Sequence, residues 1–151
     1  MSIRMTTPMS QINGYMDSRE QEIKQLLVKF MCRIGEECVK DARLKGSYKD
    51  QTANLRSSIG YVVLLNGVPV QIANPQPSGN GSDKMSGVLA GSQYLKELSQ
   101  RHTNGEIVLI VAAGMNYAYY VESIHNRVVL SSAEMLAPML KNRILSELGL
   151  K

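Results

Sequence analysis

The chain has no tryptophan and a single phenylalanine among its 151 residues. Its interior must therefore be built from aliphatic side chains, nine methionines and seven tyrosines, a mixture that packs adaptably rather than rigidly. Cysteine is scarce as well. Cys32 and Cys38 lie six residues apart on one predicted helix, where positions six apart face different sides, so an intrachain disulfide is not expected. No run approaches the ~18 apolar residues of a membrane span, and no membrane partner is expected. The N-terminus lacks a basic stretch followed by an apolar run and a small-residue cleavage site. Together these absences point to a chain made and used in a reducing cytoplasm.

The residue patterns of chemical sites are missing too. Gly79-Asn80-Gly81 lacks the downstream Gly-Lys and the strand-to-helix setting of a phosphate loop. Cys32, Cys38, His102 and His125 do not show the short spacings of zinc sites, so no metal and no cofactor is expected. A thiol nucleophile needs an adjacent base, which His125 could supply to Cys32 or Cys38. Both cysteines, however, stand among helix-face apolar residues, where cysteine behaves as a small hydrophobe. No acidic pair stands out from the surface pattern. The expectation is a protein that is not an enzyme.

What is present fits one α+β domain, the usual content of a chain this long. The formal charge is +4 and the pI about 9.1, but the charges are scattered. The densest basic stretch, Lys40, Arg43, Lys45, Lys49 and Arg56, also contains Asp41 and Asp50. It reads either as an ordinary solvated surface or as a patch in passing contact with DNA.

Residues 1–16 are turn-rich and read as a flexible arm, with residues 17–151 as the domain. From Asp17 to Lys45 apolar residues recur three and four apart, at Ile23, Leu26, Leu27, Phe30, Met31, Ile34, Cys38 and Ala42, predicting a long amphipathic helix. Its Ile23, Leu27, Phe30 and Ile34 face is expected to lie on the sheet. At about 40 Å it exceeds what a small sheet needs for cover, so part of it is expected to pack on a neighbouring subunit.

Asp50 to Ser58 reads as one or two helical turns. Ile59–Leu65 and Val68–Ala73 flank Asn66-Gly67, the preferred two-residue turn of a β-hairpin, and Pro69 requires the second strand to lie at a sheet edge or to start after that proline. The stretch of about 74–85, with Pro75, Pro77, Gly79 and Gly81, has no means of burying apolar surface and is expected to be a mobile loop. Ser86 to His102 is a helix weakened by Gly87 and Gly91. The apolar run Glu106 to Ala113 is expected to be the central strand. A last helix is expected to open with a Ser131–Glu134 capping box and to bend, or truly begin, at Pro138. The architecture is thus a small antiparallel sheet with a long N-terminal helix and a C-terminal helix packed on it.

Tyr117, Tyr119 and Tyr120 form the densest aromatic cluster. Such side chains can enter a core, anchor a protein contact or stack on bases.

Two segments together resemble the minor tail-component and neck proteins of long-tailed lambdoid-type bacteriophages. Thr52-Ala53-Asn54-Leu55-Arg56-Ser57-Ser58-Ile59 is similar to that family's Thr-Gly-x-Leu-x-x-Ser-Ile preceding a β-hairpin. Asn116-Tyr117-Ala118-Tyr119-Tyr120-Val121-Glu122 is similar to its Tyr-Ala-x-Tyr-Val-Glu after the third strand. The order of elements also agrees, over roughly Ile23 to Leu148. The chain departs from the pattern at Ala53, where glycine is usual, at Ser123-Ile124, and in the insertion-like stretch from Asn74 to His102.

The resemblance implies a structural virion protein of the head-tail junction, a subunit of a homo-oligomeric ring, six-fold to match a tail. Its partners would be itself and the adjoining connector or tail proteins. A subunit contact is then expected at Arg56, Tyr117, Tyr120 and Glu122, with an Arg-carboxylate pair flanked by tyrosines. The other classes open at this point are a nucleic-acid-binding accessory protein, suggested by the basic pI and the tyrosines, and a small thiol hydrolase.

Overall fold

The computed structural model describes the whole chain apart from residues 1, 3, 5, 103, 104, 106, 125, 150 and 151. Its elements are α1 (Met9–Lys45), α2 (Asn54–Ser57), β1 (Ile59–Leu65), β2 (Val68–Ala73), α3 (Lys84–Arg101), β3 (Ile107–Ala113), α4 (Ala118–Ser123) and α5 (Ser131–Glu147). The three strands form an antiparallel sheet in the order β2-β1-β3. The α+β class expected from the sequence is the class observed.

The centre of the sheet is β1, not the apolar run that was expected there. The Asn66-Gly67 turn, with both residues at positive φ, folds β2 back along one side of β1, and the path through α3 delivers β3 to the other side. Successive side chains of a strand face opposite ways. On β1, Ile59 belongs to one core cluster with Ile34, Cys38 and Ala42 of α1 and Ala133 of α5. Val62 and Leu64 belong to a second, with Leu95 of α3 and Ala112. On β3, Leu109 and Val111 pack against the first cluster, and Val108 and Ile110 against the second. A strand held between two helical layers is apolar on both faces whether it is central or at an edge, so the composition of β3 could not locate it. β2 is the other edge, and its register shifts between Val63 and Leu64, next to Pro69.

α1 starts at Met9, directly after Pro8, so residues 9–16, expected in an arm, are helical. Proline is well placed just ahead of a helix, and the ~1 kcal/mol disadvantage of Gly14 does not break the run. Only Ile34, Gly35, Cys38 and Ala42 of this helix are buried. Ile23 and Leu26 are exposed; the expected packing face is therefore confined to the C-terminal third, where the sheet and α5 lie. There Gly35 brings the helix onto β1: a Cβ at Gly35 would stand 2.6 Å from the Tyr61 ring.

The two α3 glycines have the same use. A Cβ at Gly87 would lie 2.0 Å from the Asn54 carbonyl oxygen, and one at Gly91 2.3 Å from that of Ser58. The close approach of α3 to the segment before β1 requires both.

Residues 74–83, expected as a mobile loop, are fastened to that same segment. Pro75 is fully buried. Ser57 Oγ donates to the Ser78 carbonyl at 3.0 Å and accepts the Ser78 N–H at 2.9 Å, and the Asp83 N–H donates to the Thr52 carbonyl at 3.0 Å. Arg43 of α1 donates both to the Ile59 carbonyl at 2.9 Å and to the Gln76 carbonyl of this segment at 3.5 Å. Polar anchors and one proline hold a segment that has no apolar run of its own.

Candidate functional site

The two segments singled out in the sequence meet at one end of the sheet. The Tyr117 hydroxyl donates to the Asn54 side-chain carbonyl across 63 residues of sequence, and the Gly114 N–H donates to the Ser58 carbonyl at 3.2 Å. Ala53, just before α2, has φ 62° and ψ 11°, the left-handed region that side chains other than those of glycine and asparagine rarely adopt. Leu55 is buried and Ser58 Oγ donates to the Leu55 carbonyl at 2.7 Å. The short helix is thus closed by its own serine before the chain enters β1.

The four residues expected at a subunit contact differ in exposure and in the partners that they have within the chain. Arg56 Nε donates to Asp50 Oδ2 at 2.8 Å, and its guanidinium sits 5.4 Å from the centroid of the Tyr48 ring. Glu122 is turned inward: one oxygen, Oε1, accepts the backbone N–H groups of Val129 at 3.2 Å, Leu130 at 2.9 Å and Ser131 at 2.7 Å. It thereby caps α5 from α4, and the expected Ser131–Glu134 capping box does not supply a side-chain cap. Tyr117 is half-buried, whereas Tyr119 and Tyr120 are exposed. Arg56 and Glu122 thus each make polar contacts within the chain. Of the four, Tyr120 remains at the surface.

Burial raises the Glu122 pKa, but the hydrogen bonds from Leu130, Ser131 and Val129 outweigh it and hold the carboxyl below its ordinary value. Burial pushes the Tyr48 hydroxyl up to about 12. Cys38 is fully buried, and burial followed by the charges of Asp41 and Glu37 raises its thiol pKa. Burial and then Glu36 raise that of Cys32. Raised values keep both thiols protonated, the opposite of what a nucleophile needs. His125, the base considered for them, lies outside the described residues. Among the described residues no group of three His, Cys, Asp or Glu side chains could hold a metal ion, and no helix is long and apolar enough to cross a membrane.

The surface feature that the sequence did not announce lies along β3. Among the described residues the strand pairs only with β1, and it lines a groove of about 710 Å³ between the sheet, α1 and α5. Ile107, Leu109, Val111, Met31 and Ala137 line it, with Glu134 and Lys141 among its charged residues. From Ile107 to Ala113 the strand carries no charge, no proline and no register break, the devices that normally protect a free edge. The apolar run itself was visible in the sequence; that it lies at an edge was not.

The basic stretch is largely occupied. Arg43 donates to backbone carbonyls, Lys45 pairs with Asp41 at 2.7 Å and Arg56 with Asp50. Comparison with protein-family models, curated proteins and solved structures yields no match.

Proposed function

We propose that the protein is a structural ring subunit of the neck or tail of a long-tailed bacteriophage, working in the virion and made in the host cytoplasm. One observation carries the reading: the two segments that resemble the family's motifs lock together through Asn54 and Tyr117. Ala53 adopts the left-handed conformation at the position where the family pattern has glycine, the residue suited to it. The backbone thus follows the pattern where the side chain departs from it.

The unprotected β3 edge and its apolar groove supply what assembly needs, since association between identical subunits draws on apolar burial at the centre of a contact. One such contact, repeated head to tail, closes into a ring when its rotation allows. The ring contact is accordingly placed along β3, with Tyr119 and Tyr120 on the same chain as further exposed anchors. The nucleic-acid reading draws less support, because Arg43, Lys45 and Arg56 already have intrachain partners.

The test is the mass of the purified chain across concentration by light scattering, with images of particles assembled with and without it. A discrete closed assembly built of rings of about six copies, located at the head-tail junction, is the expected result. A chain that stays monomeric at high concentration and is absent from assembled particles would remove the reading.

A further inference from the structure

The N-terminal part of α1, residues 9–26, contains no buried residue and carries a second apolar stripe. Met9, Ile12, Met16, Ile23, Leu26 and Phe30 follow alternating three- and four-residue steps, with Arg19 filling the one gap. Met9, Met16, Ile23 and Leu26 are 60%, 61%, 55% and 43% exposed. An average step of 3.5 residues matches another helix rather than a flat sheet or a rounded core. A helix of this length is marginal in water by itself, so a covering partner would stabilise it.

Charge and register select that partner. In a parallel, in-register pair Arg19 would face Arg19 in the middle of the seam. In an antiparallel pair centred on Gln21, Met16 faces the partner's Leu26, Ile12 faces the partner's Phe30, and Arg19 lies within a helical turn of the partner's Glu20 and Glu22. Within one chain Glu20 and Glu22 already hold Lys24 at 2.6 Å and Arg19 at 2.7 Å, so the pair would merge two ion pairs from each copy into a central network. Residues 9–30 contain three acids (Asp17, Glu20, Glu22) and three bases (Arg19, Lys24, Lys29), and two copies do not repel. We propose that residues 9–30 of α1 pair antiparallel with the same segment of a second copy of this chain. The contact is two-fold, is distinct from the head-to-tail ring contact, and does not rest on the neck reading.

The experiment uses the full chain with Cys32→Ser, to which Met16→Cys or Leu26→Cys is added; both positions are exposed in the single chain, and circular dichroism checks that the fold is kept. Under mild oxidation an equimolar mixture of the two variants is expected to form a covalent dimer, while either variant alone forms little. Efficient cross-linking of each variant with itself would establish a parallel pair and overturn the proposal. So would an uncross-linked mixture that light scattering finds monomeric, which would mean that another protein covers the stripe. Arg19→Glu is expected to weaken self-association about tenfold, and adding Glu22→Arg to restore it, as charge pairing between copies requires. An unchanged Arg19→Glu variant would overturn the register.

Discussion

Glu122 accepts the backbone N–H of Ser131 at 2.7 Å, and through the same oxygen it ties the turn before α5 to α4. Because those bonds depress its pKa against the effect of burial, the stabilisation is fully present above the ordinary glutamate value and is lost as pH falls through the lower folded value. Glu122→Gln should lower stability by about 1–2 kcal/mol at neutral pH and remove part of the acid sensitivity. Thermal melts of parent and variant from about pH 7 down to pH 3 check both effects. Identical curves would show that the carboxylate does not hold the turn.

Gly91 gives an opposing pair of effects whose sizes differ. Alanine would favour α3 by about 1 kcal/mol, but its Cβ would fall 2.3 Å from the Ser58 carbonyl oxygen and 2.6 Å from Pro75. Backbone on one side and a buried ring on the other cannot yield cheaply. Gly91→Ala is expected to destabilise by about 1–3 kcal/mol net, read as a lower melting temperature; a stabilised variant would show that α3 stands further from β1.

Two isoleucines on one helix should respond differently to the same change. Ile34 is buried at the root of α1 and Ile23 is exposed on the free part. Ile34→Asp is expected to cost several kcal/mol and to unfold much of the protein, since it strands a charge in the core. Ile23→Asp should leave the fold of the single chain intact. Circular dichroism and denaturant titration of both variants separate the two outcomes.

Ile107 begins the open edge beside the groove. Ile107→Lys places a charge at that edge, a device that blocks strand edges from pairing. The expected result is a folded chain that no longer forms the closed assembly, by circular dichroism and light scattering together. A variant that assembles as the parent does would move the ring contact away from β3.

Local rules in the sequence located most elements, because a helix period, an Asn-Gly turn and an edge proline act within a few residues. What they could not supply were the long-range partners. The α5 cap comes from Glu122 in another helix rather than from Ser131 and Glu134. The loop at 74–83 looked unanchored, since serine-to-backbone bonds such as Ser57–Ser78 leave no periodicity. The apolar character of β3 was legible, yet its place in the sheet depended on where the hairpin and α3 turned. For the candidate contact, the tyrosine cluster was legible as a group but not which ring faces out, and the intrachain partners of Arg56 and Glu122 left no sign in the sequence.

The seating of Gly35 against Tyr61 makes α1 a lever with its fulcrum at one end. From that point to Met9 the rod runs about 39 Å at ~1.5 Å per residue, so a tilt of about 10° at the root sweeps the tip by about 7 Å at that length. A single methyl group at residue 35 would therefore act as aiming error: the body could fold well and the far end still miss its target.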